Sequence, residues 1–305
     1  MNKLNLRFLA IGFSMALFIT SAFSQGQVIY NSIPDPLPGN LPSQPFQAQG
    51  TGEFGDRVQF SAGSGRSLLT TTQTMSSWAC ESGAWYSGNC ATTPGATFSH
   101  PITLNIYSVV AGNQVGPLIG AVTQTFNVPY RPSADNVNCT GSGPLGNAGK
   151  WFDGTSCYNG FATNITFNLA GLVVPNEVIY GIAFNTTTYG YNPIGPSACS
   201  ATFEGCGYDS LNVAVQGTQS VGTNPSPTDV YHYTFFGGCT GAVMPFGLDA
   251  GCWGGFKPVP VKFTAANVPT NKDQCKKGGW QTRTRADGST FKNQGDCIQY
   301  VNTGN

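Results

Sequence analysis

Charge is scarce in this chain: Asp, Glu, Lys and Arg make up 9% of its residues, against roughly 25% in an ordinary globular protein. The 14 basic and 14 acidic side chains cancel, and nowhere do cations reach the density that a nucleic-acid surface requires, so no nucleic-acid partner is expected. Histidine is nearly missing as well, with only His100 and His232. No G-x-S-x-G nucleophile elbow occurs, so nothing local points to acyl transfer. His100 precedes a candidate strand and His232 lies inside one, which suits a surface or packed imidazole. No persuasive helical periodicity is present. Long apolar runs are limited to Phe8–Thr20, about 13 residues where a spanning helix needs roughly 20. That run follows Lys3 and Arg7 and precedes Ala22-Phe23-Ser24, so residues 1–24 read as an export signal cleaved before Gln25. No transmembrane segment is expected.

Cysteine is plentiful by contrast, with ten residues, all beyond the signal. An even set in an exported chain favours disulfides over metal ligands. Neighbours pair as Cys80/Cys90, Cys139/Cys157, Cys199/Cys206, Cys239/Cys252 and Cys275/Cys297, the simplest of many connectivities. No cofactor or metal is implied: two tail cysteines without a nearby histidine make half a zinc site, and the spaced acids of a calcium loop are missing. The charge balance is uneven, because residues 25–271 carry 6 basic and 11 acidic side chains and residues 272–305 carry 6 and 3. A weakly acidic body thus ends in a weakly basic tail.

Residues 33–45, IPDPLPGNLPSQP, hold five prolines. Proline fixes φ and removes a donor, so residues 25–46 read as an extended arm. Beyond it, period-two patterns recur. In PITLNIYSVV, Ile102, Leu104 and Ile106 alternate with Thr103, Asn105 and Tyr107, as a half-buried strand should. Further strands are predicted at 54–60, 67–76, 118–128, 164–169, 177–186, 210–216, 229–236 and 259–266. Such strands with Gly- and Pro-bearing connections predict an all-β fold, a single antiparallel β-sandwich over residues 47–268, of jelly-roll type with disulfide-stapled loops. A disulfide-closed basic tail, 269–305, follows. Its Asp287-Gly288 pair favours a tight turn, so CKKGGW…FKNQGDC predicts a small hairpin closed by Cys275 and Cys297. The paired cysteines of the body follow the second, fourth, sixth and eighth predicted strands. With strands alternating in direction, all four stapled loops then share one end.

Aromatic residues gather around those loops. Trp85 and Tyr86 lie in the first and Trp151 and Phe152 in the second; Tyr189 and Tyr191 precede the third and Trp253 follows the fourth. Amphipathic rings beside Asn, Ser and Thr suit a glycan, whose C–H face stacks while its hydroxyls bond to amides. Plugging the ends of the sandwich core is the alternative role for the same rings. Glycoside cleavage needs two carboxylates roughly 5 to 10 Å apart, and Glu81 and Glu204 both sit in stapled loops. Lys276, Lys277, Arg283, Arg285 and Lys292, with Trp280, make the tail either a hold for an anionic polymer or a solvated cap.

GEFGDRVQFSAGSGRSLL, MSSWA, HPITLNIYSVV and NEVIYGIAFNTTTYGYNPIG resemble segments of secreted bacterial β-sandwich proteins of uncharacterised function. NKDQCKKGGW followed by FKNQGDC resembles a short C-terminal module that ends many exported bacterial proteins. The resemblance implies secretion and a sandwich fold, and carries no substrate or functional residue. Three functions stay open: a secreted or surface-associated non-enzymatic protein binding an extracellular carbohydrate or envelope polymer, a structural matrix or filament subunit using the Pro-rich arm, and a glycoside hydrolase.

Overall fold

The computed structural model describes residues 26–61, 66–141, 146–195, 206–239 and 241–304. The expected export signal, Cys199 and Glu204 lie outside the described residues. The strands in chain order are β1 (Gln27–Asn31), β2 (Ser43–Pro45), β3 (Thr51–Gln59), β4 (Ser67–Ser77), β5 (Thr97–Val110), β6 (Gln114–Pro129), β7 (Trp151–Phe152), β8 (Cys157–Tyr158), β9 (Phe161–Val173), β10 (Glu177–Ala183), β11 (Leu211–Ala214), β12 (Asp229–Thr234), β13 (Met244–Ala250) and β14 (Val261–Ala265). Among the described residues one α-helix, α1 (Gln294–Thr303), follows them.

Two antiparallel sheets pack face to face. In the first, β4 is central: one edge pairs along its length with β9, while the other takes β14 and then β11, flanked in turn by β1 and β2. The second runs β13-β12-β3-β10-β5-β6. Between them lies a core that includes Tyr30, Phe54, Val58, Leu68, Met75, Phe167, Tyr180, Leu211 and Phe263. The alternation in PITLNIYSVV is realised, with Ile102, Leu104 and Ile106 buried in that core. The β5–β6 reversal at Ala111-Gly112-Asn113 needs two successive left-handed residues, φ 76° and 60°, which Gly and Asn tolerate best.

The second sheet is curled. Asn113 at the β5–β6 turn reaches across to accept from the Tyr231 hydroxyl (2.6 Å) and the Arg57 guanidinium (2.6 Å). Gly181 allows this close packing on the outer face, because a Cβ there would meet Glu53 Oε1 at 2.0 Å. Glu53 is consequently buried at 4% exposure, bonded by Asn105 (2.9 Å) and Tyr107 (3.1 Å). Burial raises its pKa to about 7, with those hydrogen bonds opposing the rise.

The arm is not a free lead-in. Its residues 27–31 and 43–45 are β1 and β2, paired with β14 and β11 in the first sheet, where each stands at an outer position of the strand order. The tail also departs from a plain hairpin. A tight turn forms, with Arg285 N–H donating to Ser289 O (2.8 Å) and one bridge between Thr284 and Thr290. The segment then becomes helical at Asn293, whose side chain accepts from Asp296 N–H as an N-cap. Cys275, Cys297 and Phe291 form a small separate core there.

Candidate functional site

The pairing pattern makes β6, β10 and β12 run in one direction, because each is antiparallel to β5 or β3, and β5 and β3 are both antiparallel to β10. Their following loops leave the same end of the second sheet. The loop after β4 meets them there: Ala79 O accepts from Arg131 N–H (2.9 Å), and Ser210 O accepts from Trp78 N–H (3.0 Å). The disulfides Cys80–Cys90 and Cys139–Cys157 staple two of these loops, and Cys206 of the third is disulfide-bonded. Arg131 ties the first two together. It is fully buried and donates to Trp85 O (3.4 Å), Pro132 O (3.2 Å) and Gly149 O (2.7 Å), all neutral carbonyls, and burial lowers its pKa to about 10.

The fourth staple breaks the expected gathering. Cys239–Cys252 joins the loop after β12 to the residues beyond β13, and β13 ends beside the start of β12, where Ala250 faces Asp229. Trp253 is therefore carried away from the shared end. A strand at residues 244–250, which the sequence did not announce, intervenes and restores the direction.

A cavity of about 260 Å³ opens where the first and third loops meet the β2 segment. Trp78, Trp85, Pro45 and Ala48 form its apolar walls, and Ser43, Gln47, Asp209, Ser210 and Asn212 its polar ones. The two indoles meet edge to face at 4.7 Å, a stable aromatic geometry. Trp78 is anchored by Nε1 donating to Ser76 Oγ (3.1 Å). Trp85 is held by the Cys80–Cys90 staple and by Asn89, which accepts from Ala84 N–H (2.8 Å). Asp209 accepts from Thr187 N–H (2.5 Å), the Thr187 hydroxyl and Cys206 N–H (3.3 Å). Burial raises its pKa, against the pull of those bonds. The cavity thus offers aromatic surface from two indoles, neutral hydrogen-bonding groups and one carboxyl that is already engaged.

The remaining sequence candidates separate. Tyr86 stands 5.5 Å from Trp85 at the cavity's loop and is 52% exposed. Trp151 is 6% exposed, bonds Gly160 O (2.7 Å) and packs on Tyr158 and Phe161, as a plug. Tyr189 packs on Phe236 at 4.9 Å, while Tyr191 is 47% exposed. Trp253 wedges against Phe54 and His232, its Nε1 donating to Asp249 Oδ2 (3.0 Å). Trp78 was missed among the candidates, although it stands two residues before Cys80 and the same rule of loop-borne rings applies to it.

Both histidines are packed. His100 stacks on Tyr208 at 4.5 Å and contacts Asn185 O (3.0 Å); burial lowers its pKa to about 4. His232 lies between Asp249 (3.4 Å) and Thr51 Oγ1 (3.1 Å). That order resembles a relay, but Thr51 is fully buried and its hydroxyl donates to Pro45 O (3.0 Å), so no substrate reaches it. Glu81 is exposed and accepts from Thr93 N–H (2.6 Å), which lowers its pKa, the wrong direction for a general acid. Several tail cations are already paired: Arg285 with Asp296 (2.7 Å), Lys276 with Asp273 (2.8 Å) and Arg283 with Asn267 (2.8 Å). Among the described residues no group of three His, Cys, Asp or Glu side chains is placed to hold a metal, and no helix is long and apolar enough to cross a membrane. Compared with known proteins, the chain matches no family model, no curated protein and no solved structure.

Proposed function

We propose that the protein is a secreted or surface-associated binding protein, without catalysis, that takes one sugar ring of an extracellular carbohydrate or envelope polymer in the cavity lined by Trp78 and Trp85. The observation that carries this reading is the pairing of two anchored indoles with Ser43, Gln47, Ser210 and Asn212 in one recess. Stacking faces beside neutral hydrogen-bonding groups match a ligand that is apolar on its ring face and hydroxylated at its rim. The volume of about 260 Å³ falls just below the roughly 300 Å³ where pockets for drug-sized ligands begin, which favours a single ring over a buried chain. Disulfides and the buried Arg131 hold the walls in place beforehand, which reduces the ordering lost on association. The same disulfides suit an oxidising compartment.

The test is a glycan array followed by titration calorimetry on the purified protein. Trp85→Ala is expected to weaken binding roughly tenfold, the equivalent of about 1.4 kcal/mol of stacking, while Trp151→Phe leaves affinity unchanged. Binding that survives both Trp78→Ala and Trp85→Ala, or no binding to any glycan, overturns the reading.

A further inference from the structure

We propose that Asp56 and Lys257 become joined by an intramolecular amide bond, a covalent cross-link between β3 and the segment that leads into β14. Asp56 lies on the inner face of β3 between the core residues Phe54 and Val58 and is fully buried. Lys257 follows the short 3₁₀ turn Gly254–Phe256 and sends its side chain inward, where it is 2% exposed. Its Nζ touches Asp56 Oδ2 and, among the described residues, directs no hydrogen bond of regular geometry. An amine and a carboxyl are thus held in contact inside a water-excluded core. Tyr30 and Tyr180 lie close enough to feel the Asp56 charge.

Burial is the dominant influence on both groups, raising the acid's pKa and lowering the amine's. Each shift favours the uncharged form, because an isolated charge is costly in such surroundings. The uncharged forms are also the reactive ones: a free amine is the nucleophile and a protonated carboxyl the electrophile. The surrounding donors suit the step. Arg57 N–H donates to Asp56 Oδ1 (2.7 Å), the oxygen that would carry negative charge when the carbonyl is attacked. Asn224 Nδ2 (3.1 Å) and Val259 N–H (3.4 Å) donate to Oδ2, the oxygen that would depart. Fixed proximity replaces the entropy of a bimolecular encounter.

In the reaction the Nζ lone pair attacks Cγ and the carbonyl electrons move to Oδ1. As they return, the Cγ–Oδ2 bond breaks, and Oδ2 leaves as water, carrying its own proton and one from Nζ. Amine and acid give amide and water, so no oxidant, cofactor or energy-rich donor is consumed. The link closes a loop of roughly 200 residues, tying the third strand to the last connection of the body.

Mass spectrometry of the purified, fully reduced protein decides the matter. The intact mass is expected to fall short of the sequence mass, counted from the measured N-terminus, by one water. Proteolysis should release a branched peptide joining the segments that contain Asp56 and Lys257. Lys257→Met and Asp56→Ala should each restore the full mass. A wild-type mass equal to the sequence mass overturns the proposal whatever the variants do. So does a water deficit that maps to cyclisation at Asp153-Gly154 or Asp287-Gly288 instead.

Discussion

Replacing Glu53 with glutamine isolates one buried carboxyl and gives it a measurable signature. In the native protein Glu53 is 4% exposed and its pKa is raised by burial from 4.5 to about 7. The folded state therefore holds a proton that the unfolded chain has released between those values. A raised carboxyl pKa makes stability complete below 4.5 and erodes it as pH climbs towards 7. At about 1.4 kcal/mol per pH decade, the loss across that window is about 3 kcal/mol. Glutamine cannot ionise but retains an oxygen for the Asn105 amide and the Tyr107 hydroxyl. Glu53→Gln should match the wild type at the acid end and exceed it by about 3 kcal/mol above pH 7. Urea unfolding with disulfides intact, repeated across the window, measures the difference directly. Subtraction also removes His100, whose pKa lowered to about 4 costs stability as pH falls. Parallel stability curves for the two proteins would refute the assignment of a buried, protonated carboxyl.

The other predictions concern the frame of the site and the tail. Arg131→Met leaves three carbonyls, the buried Gly149 O among them, without their charged donor and should cost about 3 kcal/mol, read as faster proteolysis within residues 80–90 and 139–157. Replacing Cys80 and Cys90 together with serine frees a loop of sequence separation 10, for about 3 kcal/mol on the loop-entropy account, and should weaken any ligand bound at Trp85. Phe291→Ala should cost about 3 kcal/mol and be felt in the tail alone, since its core with Cys275 and Cys297 is separate from the main one. Hydrogen exchange should then rise in α1 and stay unchanged in β4.

The sheets were legible wherever alternation was strong, as at Ile102, Leu104 and Ile106, because a half-buried strand writes its burial into every second residue. The staples at Cys80–Cys90, Cys139–Cys157, Cys239–Cys252 and Cys275–Cys297 were legible too, since short loops make neighbours the natural partners. β13 escaped because MPFGLDA places Pro245 and Gly247 in a strand, both of which argue locally against one. β1 and β2 escaped because their proline-rich surroundings looked extended and unpaired, and only the distant β14 and β11 reveal their partners. Helix α1 was signalled by Asn293 and Asp296 at cap spacing, but a Gly at 295 and the expected hairpin masked it. For the site, the sequence marked Trp85 and Tyr86. It left out Trp78, and nothing local links the Trp78 ring to Ser43 or Asn212, which chain topology alone brings alongside.

The pairing of β1 with β14, Gln27 opposite Ala265, has a kinetic meaning. The earliest part of the body can find its neighbour only once nearly the whole chain has been delivered, so the first sheet stays unsealed until late. Contacts so remote in sequence make slow assembly. A ribosome or translocon would hand over a polymer that waits, open-edged, for its final strand.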